Sequence, residues 1–388
     1  MKTHRSYLWL ILLSSMILFC SSCSGDAPNT NPSPDPEPDP GPTIDKNVLT
    51  QAFSPGTGGY ACFRIPAVVV SNKGTVLAFA EGRVDDCEDD GNIDIILKRS
   101  TDNGKTWSDI ITVHDDGNNR CQNPAPVVLE SGRILLLSCW NKRPGGARRV
   151  YKTYSDDDGK TWAPMTDIGD QVAIEGYSWY ATGPCHAIIK TLEPNKGRIV
   201  VPCNHNKGNN RYSHIIYSDD QGENWKLGGI ADYTQGNEST VVELGNGDLM
   251  LNMRNMDMEK NYRMQAISKD GGKTFQPSQE TTLIEPINNG CQGSILRYSI
   301  NSQNSANLLF ANPNHDSSRR NGTIKFSSND GKSWTRTFMY VPANTYTSYS
   351  DLTVLNNEKV GILYERGFKN GDGIYFQSME LKEITDSK

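Results

Sequence analysis

From about residue 45 onward the chain alternates short apolar runs with clusters of glycine, asparagine, aspartate and serine. Arg133–Cys139 (RILLLSC) and Asp248–Met253 (DLMLNM) are typical: each is short and bounded by turn-forming residues. No long stretch repeats its apolar positions at the helical period, so the pattern predicts an all-β domain of many short antiparallel strands.

The first residues read differently. Lys2, His4 and Arg5 precede an apolar run from Tyr7 to Phe19, the length of a secretory leader and short for a membrane span. Ser21-Ser22-Cys23 follows, similar to a bacterial lipobox except that Cys20 stands where leucine is usual. The expectation is a leader over 1–23 with lipid on Cys23. Ordinary cleavage near the same point is the alternative. Residues 24–45 contain APNTNPSPDPEPDPGPT, which cannot bury a core and favours extended polyproline geometry, so this segment reads as a stiff tether. The folded domain is expected over 46–388. Together these features predict export across an inner membrane to the periplasm or cell surface, with membrane contact only through the lipid.

A short motif recurs five times in that domain: STDNGKTW from Ser100, SDDDGKTW from Ser155, SDDQGENW from Ser218, SKDGGKTF from Ser268 and SSNDGKSW from Ser327. The starts lie 55, 63, 50 and 59 residues apart, a period that signals a propeller or array. Each copy reads as a turn in which aspartate bonds backbone N–H groups, glycine supplies a positive φ and the aromatic ring anchors the turn. Phe275 replaces tryptophan in the fourth copy and Asn329 replaces aspartate in the fifth. These repeats resemble the Asp boxes of sialidases, and the resemblance implies a structural place on the rim of a propeller, away from the active face. At about 50–60 residues per four-stranded blade, the domain predicts six blades, the last closed by pairing the chain ends.

A net charge of −6 with no basic footprint argues against a nucleic-acid partner. Beyond Cys20 and Cys23, seven cysteines are scattered at Cys62, Cys87, Cys121, Cys139, Cys185, Cys203 and Cys291. That is no disulfide scaffold, and no CxxC or histidine pair suggests a metal site. Cys87 with Cys121 is one conceivable pair; most of the others read as small buried residues.

Further motifs carry the resemblance from residue 60 to 366. Phe63-Arg64-Ile65-Pro66 resembles the family's FRIP motif, and LAFAEGR ends at Arg83. The resemblance makes Arg64 and Arg83 members of an arginine triad that grips a carboxylate. The acidic run Asp85-Asp86-Cys87-Glu88-Asp89-Asp90 stands where the family carries its acid/base aspartate. Spacing favours Asp89, with Asp90 and Glu88 as alternatives. Asn237-Glu238 and Asn252-Met253-Arg254 are similar to the family's NE…NxR pair, which makes Glu238 the base and Arg254 the second or third arginine. Arg319, three residues before Gly322-Thr323-Ile324, resembles the family's last arginine, with Arg320 as the alternative. Ser348-Tyr349-Ser350 resembles a family segment that carries the nucleophile, which the resemblance places at Tyr349, with Tyr340 and Tyr346 as packing residues; Glu365 is similar to a family glutamate that braces the first arginine.

The chemistry implied is retaining hydrolysis of terminal α-linked sialic acid by a monomer, with sialylated glycans as partners and no cofactor or metal. Guanidinium groups bind carboxylate through paired N–H donors at any working pH. A phenol suits a substrate whose own carboxylate would repel an attacking Asp or Glu. Alternatives are a propeller that binds sialoglycans without cleaving them, a protein-interaction propeller, and a trans-sialidase with an aromatic acceptor wall drawn from Trp140, Trp179 or Tyr180.

Overall fold

A computed structural model describes residues 47–367 and 371–387. The expected leader, Cys23 and tether lie outside the described residues. Those described form 25 strands and one short helix, Leu381–Thr385, at the C-terminal end. The chain is all-β, in a β-propeller arrangement.

Sequential antiparallel meanders build the sheets. Gly236–Glu243, Leu249–Asn255, Tyr262–Ser268 and Gln279–Ile284 make one, and Ser294–Ile300, Ala306–Pro313, Gly322–Ser327 and Arg336–Met339 make the next. A five-stranded sheet spans Tyr177–Thr182 to Lys226–Ile230, and an eight-stranded one runs from Cys62–Val70 to Thr166–Asp167. In the remaining sheet Leu49–Phe53 pairs with Gly373–Met379, so the two ends of the domain close one sheet as expected. Neighbouring sheets pack in a closed ring: Cys62–Val70 on Arg120–Val128, which meets Tyr177–Thr182; Ile199–Lys207 of that sheet on Gly236–Glu243; then Ser294–Ile300, Thr347–Val354 and back to Cys62–Val70.

Burial follows from this layering. Val76–Arg83 is buried throughout, whereas the outer strand Arg336–Met339 is not. Because successive side chains point to opposite faces, Val76, Ala78 and Ala80 pack with Phe53, Phe63 and Phe376, while Leu77 and Phe79 pack with Leu97, Ile134 and Leu136. A strand between two sheets is therefore apolar on both faces, which explains the unbroken apolar runs of the sequence.

The five repeats lie between the third and fourth strands of their meanders. In the first, Ser100 Oγ donates to Asp102 Oδ1 at 2.7 Å and accepts from Gly104 N at 2.8 Å. Asp102 accepts from the Thr106 N–H and hydroxyl at 2.9 and 2.6 Å. Gly104 has φ +87°, and a Cβ there would lie 2.2 Å from the Phe376 ring, so glycine serves both the turn and its close approach to the sheet. In the fifth copy Asn329 keeps the network, its Oδ1 accepting from Ser333 N at 3.0 Å and its Nδ2 donating to Ser333 Oγ at 2.9 Å.

In the third copy, the Asn224 backbone N–H is the main group holding the Asp220 carboxyl at about 2. Asp220→Ala is expected to cost roughly 1–2 kcal/mol, read from the urea midpoint. A folded pKa below the ordinary ~3.9 stabilises above that pH and loses its effect as pH falls towards 2. Variant and wild type should therefore converge in acid.

The cysteine pairing differs from the pair considered above. Cys62 bonds Cys87, with Cα atoms 5.3 Å apart, and Cys121 is a buried free thiol. The reason is register: Cys62 stands directly opposite Arg83, and the acidic loop after Arg83 folds back so that Cys87 reaches it.

Candidate active site

Four inner strands each carry a register shift at the same level: between Arg64 and Ala67, Gln122 and Ala125, Gly236 and Ser239, and Thr347 and Ser350. Bulges re-aim side chains, and here they turn Arg64, Asn123, Glu238 and Tyr349 towards one end of the ring. Ile65 at φ 56° and Asn123 at φ 59° mark two of them; a β-branched residue in that region stores local strain. Glu238 thus lies inside the strand Gly236–Glu243.

Tyr349 is the centre of the site, 6% exposed. Its hydroxyl donates to Glu238 Oε1 at 2.6 Å and accepts from Arg254 Nη1 at 3.1 Å. The same Nη1 donates to Glu238 Oε2 at 2.6 Å, and Arg254 Nε donates to Asn289 O at 2.6 Å. The guanidinium carbons of Arg64 and Arg319 stand 5.3 and 5.7 Å from the Tyr349 ring centre. Arg319 is oriented by Ser348 Oγ at 3.1 Å. Glu365 is fully buried. It accepts from Arg64 Nε at 3.3 Å, Ile65 N at 2.8 Å and Tyr349 N at 3.3 Å, tying the arginine to the tyrosine.

Burial, then the Glu238 charge, push the Tyr349 phenol above its ordinary value, against the opposing pull of Arg254, Arg319 and Arg64. The phenol is therefore neutral at rest and hydrogen-bonded to Glu238.

Arg83 does not join the three arginines at Tyr349. It is buried on the other side of the site, donating to Glu81 Oε2 at 2.6 and 3.1 Å and to Cys87 O at 2.6 Å. Its partner in the site is Asp89, 2.9 Å away. Arg64 also reaches Asp89, at 3.3 Å. Asp89 stands at the mouth with its side chain 75% exposed. Partial desolvation pushes its carboxyl up, but Arg83 and then Arg64 outweigh that and hold it below the ordinary range. Asp90 turns away to Arg120 and Arg143, both at 3.4 Å. Arg320 is exposed and bridges Tyr346. Tyr340 packs on Tyr364.

The cavity holds about 210 Å³. Several of its residues were not singled out in the sequence. Arg148 lies 3.8 Å over the Trp179 ring and bonds Gln122 and, at 3.3 Å, Asn123. Asn204, Asn206 and Asn237 line the same wall. Glu81 orients both Arg83 and the Asn123 N–H, the latter at 2.9 Å. It had a signal: a lone acid in an apolar strand, two residues before Arg83 and so on the same face. Of the aromatic residues considered for a wall, Trp179 lines the cavity and is 38% exposed. Tyr180 is buried against His214, and Trp140 packs on Tyr151. Among the described residues no three His, Cys, Asp or Glu side chains group as a metal-ligand set.

The family model described as "BNR repeat-like domain" matches residues 74–362. An exo-alpha-sialidase of Aspergillus fumigatus is 31% identical over 347 residues, which is 80% of this chain and 80% of that one. The chain belongs to the sialidase family. A sialidase of Bacteroides fragilis is 30% identical over 360 residues, 85% of this chain, and this chain spans 64% of that relative's length. The Hadza microbial sialidase Hz136 superposes with a TM-score of 0.77 at 28% identity, over 87% of this chain and 69% of the other. Of the residues named from the motifs, Arg83, Asp89, Glu238, Arg254 and Tyr349 line the cavity, while Arg64 and Arg319 flank the Tyr349 ring.

Proposed function

We propose that this protein is an exo-acting sialidase that hydrolyses terminal α-linked sialic acid with retention, using Tyr349 as nucleophile. The observation that carries the reading is the 2.6 Å hydrogen bond from the Tyr349 hydroxyl to Glu238 within reach of Arg64, Arg254 and Arg319.

The substrate carboxylate is gripped by those three guanidiniums. It competes with Asp89 for Arg64, so binding weakens one of the two ion pairs that keep Asp89 ionised and favours its protonated, acid form. Tyr349 then attacks the anomeric carbon and passes its proton to Glu238. The bond to the departing glycan breaks as Asp89 protonates the leaving oxygen. In the second half water attacks the same carbon and gives its proton to Asp89, while the tyrosine oxygen leaves and recovers its proton from Glu238. Two inversions give net retention.

Six blades are part of the proposal. The eight-stranded sheet is joined at its middle by a single parallel pair, Ile93 with Arg120, and division there leaves two four-stranded meanders. Export and anchoring through Cys23 remain a proposal on the residue pattern of 1–23 alone.

Asp89→Asn tests the assignment of the acid. Natural glycan leaving groups need a proton, whereas 4-methylumbelliferone leaves largely unaided. The kcat/KM on sialyllactose should fall roughly 10²–10⁴-fold and that on the aryl sialoside much less. Equal losses on both substrates would remove Asp89 from this role, and the same assays on Asp90→Asn and Glu88→Gln would then locate the acid.

A further inference from the structure

We propose that the Cys62–Cys87 disulfide is a positioning element for the general acid, so that its reduction selectively disables cleavage of poor leaving groups. The inference rests on the sialidase reading. It concerns the two ends of one cross-link. Cys62 begins the inner strand that carries Arg64 and is almost fully buried. Cys87 lies in the acidic loop two residues before Asp89. The cross-link therefore joins the element that holds an arginine of the clamp to the loop that presents the acid.

Without the bond, the tip of that loop is held by polar contacts alone. Residues 85, 86 and 88–90 are exposed. The other ties are the Arg83 Nη1 bond to Cys87 O at 2.6 Å, the Gln122 Nε2 bond to Asp89 O at 3.5 Å, ion pairs from Arg83 and Arg64 to Asp89 at 2.9 and 3.3 Å, and ion pairs from Arg120 and Arg143 to Asp90 at 3.4 Å and from Arg143 to Asp85 at 3.9 Å. Ion pairs to carboxylates this exposed are weak in water. A cross-link, by contrast, limits the loop's excursions directly. The clamp and nucleophile have separate supports. Arg64 and Tyr349 are tied by Glu365, and Arg254 by Asn289 O and Glu238. Opening the disulfide should therefore displace Asp89 while leaving carboxylate binding and tyrosine attack in place. Acid catalysis depends on position: misplacement by about 1 Å can cost on the order of 10²-fold.

An added phosphine reduces the disulfide by two electrons: phosphorus attacks one sulfur and breaks the S–S bond, and water then releases the second thiol, supplying both thiol protons and the oxygen of the phosphine oxide. The five free cysteines among the described residues are all buried, so Cys62 and Cys87 are followed individually by mass spectrometry after thiol labelling of a quenched sample.

The test uses the full chain, oxidised, reduced with tris(2-carboxyethyl)phosphine, and reoxidised, alongside the double variant Cys62→Ser/Cys87→Ser. Turnover of sialyllactose and of 4-methylumbelliferyl sialoside is compared with inhibition by free sialic acid. On reduction, and in the double variant, the ratio of kcat/KM for sialyllactose to that for the aryl substrate should fall at least about tenfold. The inhibition constant should stay within about threefold, and reoxidation should restore the ratio. A variant that does not fold leaves the reversible reduction of wild type as the deciding arm. An unchanged ratio, whether both activities persist or both decline together, overturns the proposal, because a merely structural cross-link would move both substrates alike. Oxidised wild type that cleaves neither substrate refutes the sialidase reading itself, and this proposal with it.

Discussion

Tyr349→Phe is expected to lower kcat/KM by roughly 10³-fold or more on both sialyllactose and an aryl sialoside, since it removes the nucleophile itself. The change deletes one oxygen from a site whose ring is held by its surroundings: Ile65 and Cys291 pack on it, and Glu365 fixes its backbone N–H. The fold should survive, and circular dichroism melting should shift little. The loss of the hydroxyl leaves Glu238 paired with Arg254 alone. Binding of free sialic acid should persist, because the clamp is intact. A Phe variant that retains activity within tenfold on both substrates would exclude the tyrosine mechanism. The pattern contrasts with Asp89→Asn, where the leaving group decides the size of the loss.

The second large effect concerns the clamp. Arg319→Lys should reduce kcat/KM well over tenfold, because an ammonium cannot reproduce the two parallel donors of a guanidinium towards a carboxylate. Most of the loss should appear in KM and in the inhibition constant of free sialic acid, since the contact is made in the ground state as well as the transition state. Arg320→Lys is the companion. Arg320 is exposed, its backbone bridged to that of Tyr346, so its replacement should leave kcat/KM within about twofold, as is usual for surface substitutions. Impairment of Arg320→Lys with normal Arg319→Lys would place the clamp one residue further along.

What the sequence makes legible here is what local chemistry dictates. A box such as STDNGKTW carries its own serine, aspartate, glycine and threonine, and its hydrogen bonds all close within a few residues, from Ser100 to Thr106. The repeat is therefore readable, and with it the propeller arrangement. The arginines and Tyr349 are readable through motifs that resemble the family's. The structure adds what depends on distant partners. Arg83 looks equivalent to Arg64 in sequence, yet Glu81 and Cys87 O draw it to the acid side. Cys62 meets Cys87 because strand pairing sets it opposite Arg83, a register that spacing alone does not reveal. Arg148 reaches the cavity by stacking on Trp179, from a different sheet. The bulges that aim Arg64, Glu238 and Tyr349 inward leave no mark in composition, because they arise from the fit of one strand to its neighbour.

Attack by Tyr349 followed by attack of water requires that sialic acid leave this site with retained configuration. The most direct test is a ¹H NMR time course of wild-type enzyme with α2-3-sialyllactose, read before the free sugar equilibrates. With retention, the α-anomer of sialic acid appears first and the β-anomer grows in later by mutarotation. Release of the β-anomer first, formation of an anhydro sugar, or no cleavage at all would contradict hydrolysis with retention through Tyr349.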